Sequence, residues 1–274
     1  MNEKIKNRKM TSLIIIAILI IGIVSLSVIN NSNNEKTIET NSNISNNKKI
    51  EWGIKRETDH KQPDLGSNNK KVLEKNNGIA IGNSEKKNIY LTFDEGYEAG
   101  YTPKILETLQ NNNVKAAFFI TAHYVNTQED LVKQMINEGH IVGNHTVNHK
   151  SMPDLSEEEI KKEVMDLHQG VFERFNYEMK YIRPPKGEFS EKSMIETNKL
   201  GYKTVMWSFA YEDWNENKQP NEDNAKKKIL DNLHNGEIIL LHGNSKTNTN
   251  ILDSVIKEAK NMGYEFKSLD EFEK

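Results

Sequence analysis

The sequence predicts a parallel α/β sheet, open or closed into a barrel, and three observations predict it. Short runs rich in Val, Ile, Leu and Phe alternate with helix-length amphipathic segments from residue 88 onward. Glycines stand just past four of those segments, at Gly139, Gly201, Gly236 and Gly263, where a helix commonly ends. The residues able to carry chemistry come just after the apolar runs, and sites in parallel α/β folds form at the carboxyl ends of strands.

The chain begins with Lys4, Lys6, Arg8 and Lys9 in a basic flank, residues 1–12, ahead of 17 apolar or small residues from Leu13 to Ile29. A basic flank stays on the cytoplasmic side, and the chain beyond the apolar run is exported. Seventeen residues is the lower edge for spanning a hydrocarbon core about 30 Å thick. Residues 13–29 are therefore expected to be an uncleaved signal anchor in the cytoplasmic membrane, the alternative being a cleaved signal peptide and a secreted chain. Residues 30–50 include eight asparagines between Asn30 and Asn47 and have too little apolar surface to offset ordering entropy. They are expected to be a disordered linker. Residues 51–86 are polar, with Trp52, Pro63, Leu65, Val72 and Leu73 as anchors, and read as an extended arm.

The catalytic domain is expected over residues 87–274. Strands are predicted at Asn88–Phe93, Ala116–Thr121, His140–Asn144, Tyr181–Arg183, Lys203–Ser208, Glu237–His242 and Tyr264–Ser268. Helices are predicted at Pro103–Asn111, Gln128–Glu138, Ser156–Phe175, Glu191–Leu200, Asn221–His234 and Ile251–Met262. Ser156 with Glu159 has capping-box spacing, and Ser190 with Ser193 marks a second helix start. Phe118, Phe119 and Trp207 fall in strand patterns and read as core.

Composition narrows the function. The 274 residues carry 37 basic and 40 acidic side chains, no excess of the kind a nucleic-acid binder shows. The small basic surplus is confined to residues 1–50, with seven Lys or Arg against three Asp or Glu. No cysteine is present, which excludes disulfides, thiolate metal sites and cysteine nucleophiles. The mean hydropathy of −0.75 excludes a polytopic membrane protein.

Five polar groups then fall at one predicted sheet edge. Asp94-Glu95-Gly96 ends the first strand and His145-Thr-Val-Asn-His149 the third; Arg183-Pro-Pro-Lys-Gly187 ends the fourth, Asp213-Trp214 comes after the fifth, and His242 ends the sixth. Acids at a buried strand end have shifted pKa values. Two imidazoles at i, i+4 with a carboxylate are the ligand set of a hydrolytic Zn²⁺ or Fe²⁺ site with open positions for water. His60, His123, His140, His168 and His234 have no such context and read as structural, with His123 the foremost exception.

Together, Thr92-Phe-Asp-Glu-Gly96, His145-Thr-Val-Asn-His149, Arg183-Pro-Pro-Lys-Gly187, Asp213-Trp214 and Leu240-Leu-His242 resemble the polysaccharide deacetylases with NodB homology, carbohydrate esterase family 4. Trp52-Gly53, Asp94-Glu-Gly-Tyr-Glu98 and Met206-Trp-Ser-Phe-Ala-Tyr-Glu-Asp-Trp214 look narrower still, like the delta-lactam-biosynthetic de-N-acetylases of endospore formers. The resemblance implies a distorted (β/α)₇ barrel that hydrolyses the acetamide of a peptidoglycan sugar, N-acetylmuramic acid of spore cortex. It implies Asp94 as general base, Arg183 as its orienting partner, His242 as general acid and Asp213 as the group that charges it. Glu95, His145 and His149 are implied as ligands of a divalent metal, zinc foremost, with cobalt, manganese, iron and magnesium as alternatives. Trp214, Pro185, Lys186 and Gly187 are implied to contact substrate, with the Lys186 backbone N–H at the oxyanion. The partners implied are a peptidoglycan glycan strand, the membrane and a preceding N-acetylmuramoyl-L-alanine amidase, with no nucleic acid. Two departures from the family pattern stand out: Glu95 occupies a position that is usually Asp, and Lys186 one that is often Tyr. A glucosamine-directed deacetylase and a catalytically inactive glycan-binding barrel are the alternatives.

Overall fold

The computed structural model describes residues 47–274, and the expected anchor and most of the linker lie outside the described residues. Among the described residues no helix is long and apolar enough to cross a membrane. Residues 48–274 pack as one unit.

In chain order its elements begin with β1 (Ile50–Glu51), α1 (Ser67–Lys75), β2 (Asn88–Glu95), α2 (Thr102–Asn111), β3 (Ala117–Ile120), α3 (Ala122–Thr127) and α4 (Glu129–Asn137). They continue with β4 (Ile141–Asn144), α5 (Glu157–Phe175), β5 (Tyr181–Ile182), β6 (Glu188–Phe189), α6 (Glu191–Lys199) and β7 (Lys203–Thr204). The last are α7 (Glu222–Asn232), β8 (Glu237–His242), α8 (Lys246–Asn261) and β9 (Glu265–Phe266).

The main sheet runs β7-β5-β4-β3-β2-β8, with β9 paired to the start of β2, and all these pairings are parallel. β2 is buried along its whole length, as expected for a strand covered on both faces. The sheet curls into a half-barrel, the open form of the distorted (β/α)₇ barrel expected. Its two margins meet only through isolated bridges, Phe209 to Ile239 and Val205 to Ile79, with Ile81 reaching Glu237. The expected strand Lys203–Ser208 thus keeps ladder pairing only at Lys203 and Thr204. Beyond Thr204 single backbone hydrogen bonds take over: the Met206 N–H donates to the Ile79 carbonyl, and the Leu240 N–H donates to the Phe209 carbonyl.

Helices start at the predicted caps. Ser156 and Glu159 form a reciprocal capping box at α5, and Ser190 with Ser193 does the same at α6. The four glycines past helix ends have φ between 68° and 88°, the left-handed region that favours glycine. At Gly236 a Cβ would also stand 2.4 Å from the Gly82 backbone. α8 starts at Lys246, earlier than expected, because Ser245 accepts from the Asn248 N–H and Thr247, Asn248 and Thr249 are buried.

The arm is more ordered than a simple extended strap. It contains α1, and β1 pairs antiparallel with β6, placing Ile50 opposite Phe189. Trp52, Leu65 and Leu73 form a small core with Phe189, Met194 and Met206. Trp52 donates its backbone N–H to the Gly187 carbonyl and its indole N–H to the Trp207 carbonyl, at 2.9 Å each. The arm therefore braces the Pro185–Gly187 turn at the mouth of the sheet.

Candidate active site

The β2–β8 register sets Asp94 level with His242 at the carboxyl ends of two adjacent strands. Both face a groove of about 1110 Å³, together with His145, His149, Lys186 and Trp214.

Asp94 is 8 % exposed and accepts a 2.8 Å hydrogen bond from Nη1 of the fully buried Arg183. Arg183 donates Nε–H to the Val205 carbonyl and lies 4.2 Å over the Phe119 ring, so its guanidinium is held in one orientation. Burial alone would raise the Asp94 pKa, but the charges of Arg183, His145 and His242 outweigh it and lower the pKa. Asp94 is an ionised, fixed carboxylate.

The second pair is built the same way. Asp213, 1 % exposed, accepts from His242 Nδ1 at 2.7 Å and from the His242 backbone N–H at 2.9 Å. Asn248 donates to the Asp213 oxygen that takes the backbone N–H, at 2.5 Å. Burial opposes the imidazolium of His242, but the Asp213 hydrogen bond and charge, helped by Asp94, raise its pKa. Because Asp213 occupies Nδ1, Nε2 is the nitrogen left to serve the groove.

The loop after β4 presents the two histidines. Asn144 accepts from the Thr146 N–H, Thr146 Oγ1 accepts from the His149 N–H, and Glu163 accepts from the backbone and side-chain N–H groups of Asn148. Thr146 and His149 have φ of 67° and 54°, and these polar braces hold them there. The two rings lie 4.8 Å apart. His145 Nδ1 is 2.8 Å from the Arg183 carbonyl, an acceptor, so Nδ1 carries the proton and Nε2 is a free lone pair. Burial lowers the pKa of both imidazoles, and that of His149, which also stands beside His145, falls to about 4.

Glu95 requires a correction. Successive strand residues point to opposite faces, so with Asp94 in the groove Glu95 points behind it. It is fully buried and does not line the groove, and neither oxygen makes a hydrogen bond. It lies so close to the β8 end that a Cβ on Gly243 would stand 2.0 Å from its Oε1. Burial, then the charges of Glu98 and Asp94, push its pKa well above the carboxylate range. The expected third ligand is thus absent from the histidine pair. The nearest carboxylate is Asp94, 3.5 Å from His145 Nε2, and among the described residues no cluster of three or more His, Asp or Glu is placed to hold a metal. A three-ligand metal site does not fit this arrangement.

Of the expected substrate contacts, Lys186, Gly187 and Trp214 line the groove, whereas Pro185 is buried beneath the turn. Lys186 has φ 59° and an exposed side chain. At Gly187, φ is 69° and a Cβ would stand 2.8 Å from Trp207. Trp214 is 52 % exposed, its ring 5.5 Å from that of His242.

The groove also takes in residues to which the sequence assigned no role in the site. Tyr97 and Asn244 line it, and so do His123 and Trp207, the latter expected in the core. Tyr97 lies within the Asp94–Glu98 motif without a role of its own, and the only signal in the sequence for Asn244 is position, two residues past His242. His140, His168 and His234 are structural: His140 accepts from the Ala116 N–H, His168 bridges Tyr202 and Glu178, and His234 contacts Ser208.

Known proteins resemble this chain in sequence and fold. A profile of the polysaccharide deacetylase family matches residues 81–205. A peptidoglycan-N-acetylmuramic acid deacetylase, PdaA of Bacillus subtilis, is 42 % identical over 83 % of this chain and 88 % of its own. An uncharacterized 30.6 kDa protein of Geobacillus stearothermophilus is 45 % identical over 82 % of this chain and 85 % of its own. The solved structure of B. subtilis PdaA, a family 4 carbohydrate esterase, superposes with a TM-score of 0.80 at 41 % identity, covering 82 % of this chain and 97 % of that one.

Proposed function

The chain belongs to the polysaccharide deacetylase family, and from that membership we propose that it removes the N-acetyl group from N-acetylmuramic acid in peptidoglycan, on the way to muramic delta-lactam in spore cortex. The observation that carries the reading is one groove shared by an ionised Asp94 and a His242 charged by Asp213.

Asp94 takes a proton from water as the water oxygen bonds to the acetyl carbonyl carbon. The backbone N–H at Lys186 receives the oxyanion of the tetrahedral intermediate. His242 gives its proton to the departing nitrogen as the C–N bond breaks, leaving acetate and the free amine. Arg183 and Asp213, buried behind the two reacting groups, hold their orientation and charge. Deacetylases of this family are metal-dependent. The residues in place here do not assemble a three-ligand metal site, and the steps above are those that this chain's own side chains carry.

Lys186 supports the muramic assignment. It brings a cation to the groove, suited to the lactyl carboxylate that muramic acid carries and glucosamine lacks. The inactive-barrel alternative loses its support because base and acid are both formed and both reach the groove. The apolar segment 13–29 supports an extracytoplasmic domain tethered to the membrane, and the Lys186 cation in the groove, suited to a lactyl carboxylate free of peptide, supports action after an amidase.

The test is acetate release and mass spectrometry of products from peptide-free glycan. Deacetylated muramic residues are expected. Deacetylation confined to glucosamine would overturn the assignment, and no acetate from either sugar would overturn the enzyme reading.

A further inference from the structure

Four large apolar side chains stand well exposed among the described residues, and two of them, Tyr97 and Trp214, line the groove. Tyr97 is 43 % exposed, yet its ring is fixed. Its hydroxyl donates to Glu216 Oε1 at 2.5 Å and accepts from Asn244 Nδ2 at 2.8 Å. Asn244 also donates to the Trp214 carbonyl at 3.0 Å, tying the two aromatic residues to one buried amide.

Beyond Tyr97 lies a second pocket of about 340 Å³, within the size range of small-ligand sites. Tyr97 and Asn244 line both spaces, so Tyr97 is their shared wall. Two carboxylates, Glu98 and Glu216, line the second pocket, and no basic residue does. Glu98 is already engaged by the backbone N–H groups of Gly100, Tyr101 and Thr102. The pocket repels a carboxylate and suits a neutral sugar with hydroxyl donors. The main groove, by contrast, is of mixed charge: Lys186 and His242 line it together with Asp94 and Glu212.

We propose that Tyr97 is the stacking surface of an additional subsite, which takes the neutral N-acetylglucosamine residue next to the sugar being deacetylated. The inference rests on the muramic reading of the groove. In a strand of alternating charged and neutral sugars, the two charge environments set which residue reaches Asp94 and His242. Tyr97 is a binding and register residue that does not touch the reacting atoms.

The test uses the full chain in detergent with peptide-free glycan hexasaccharide as substrate, and a hexamer of N-acetylglucosamine as competing ligand. Tyr97→Ala is expected to raise KM for the glycan, and Ki for the neutral hexamer, about tenfold with kcat within about twofold, the pattern of lost uniform binding. Tyr97→Phe keeps the ring and is expected to stay near wild type in both. Unchanged constants in Tyr97→Ala would overturn the proposal. So would a Tyr97→Phe variant as impaired as the alanine, since the hydroxyl network would then be responsible, or a fall in kcat alone. Should acetate come only from glucosamine, the muramic reading fails, while the Ki of the neutral hexamer still reports on Tyr97.

Discussion

Asp94 and His242 are two titrating groups pushed apart by their partners, and those directions set the pH profile. The carboxylate must be ionised and the imidazole protonated, so kcat/KM is expected to rise with pH through a value below the ordinary Asp range and to fall through a value above the ordinary His value of about 6.5. Asp213→Asn removes the charge that raises His242, so the alkaline limb of the measured profile is expected to move to lower pH. A limb that stays put would separate Asp213 from proton transfer. Asp94→Asn is expected to lower kcat by at least about 10²-fold with the fold intact by circular dichroism. Glu95 behaves differently. Its pKa is raised on folding, so the folded state binds more protons than the unfolded chain, and stability is lost as pH rises above the unfolded value of about 4.3. Glu95→Gln mimics the neutral form. It is expected to raise Tm at pH 7, to leave Tm unchanged near pH 4, and to leave zinc content unchanged from that of the wild type. A drop in zinc uptake in Glu95→Gln would restore the carboxylate as a ligand.

Helices and strands place these residues by register, and contacts between elements are where substitution should be felt most. Gly243, just past β8, leaves the space that Glu95 of β2 fills. Gly243→Ala is expected to cost about 1–3 kcal/mol by overpacking. In a double-mutant cycle, combining it with Glu95→Ala should cost less than the sum of the two single changes. Additive denaturation energies would show that the two positions do not compete for one space. The order of elements was legible in the sequence because long buried strands such as β2 and β8 and capped helices such as α5 carry strong local signals. The pairing of β1 with β6 was not, since two-residue strands have no periodicity and that pair is fixed by Trp52 packing near Gly187. The same limit hid the fate of Glu95. The motif shows two adjacent acids, but which one faces the groove depends on the phase of the strand at its last residue.

The molecule as a whole divides its tasks along the chain. Asp94, Arg183, Asp213 and His242 were readable as a set, because each carries a motif, at a strand end for Asp94, Arg183 and His242 and in the loop after β7 for Asp213. The place of Tyr97, Asn244 and Trp207 in the groove wall was not readable, although two of them stand in motifs, because it depends on the curl of the sheet. Deleting residues 1–46 is expected to release the protein from the membrane fraction while leaving acetate release from soluble glycan near wild type. Persistent sedimentation with membranes would place the attachment within residues 47–274. The curl itself has a mechanical consequence. Its margins are joined by single bridges at Phe209 and Val205, while β2, β3 and β8 share continuous ladders. Asp94 and His242 stand on the ladder side, and Trp207 and Trp214 belong to the segment on the lightly joined side. Base and acid are thus fixed relative to each other by backbone ladders, whereas the aromatic wall opposite is fixed by side-chain bonds, from Trp52 to the Trp207 carbonyl and from Asn244 to that of Trp214.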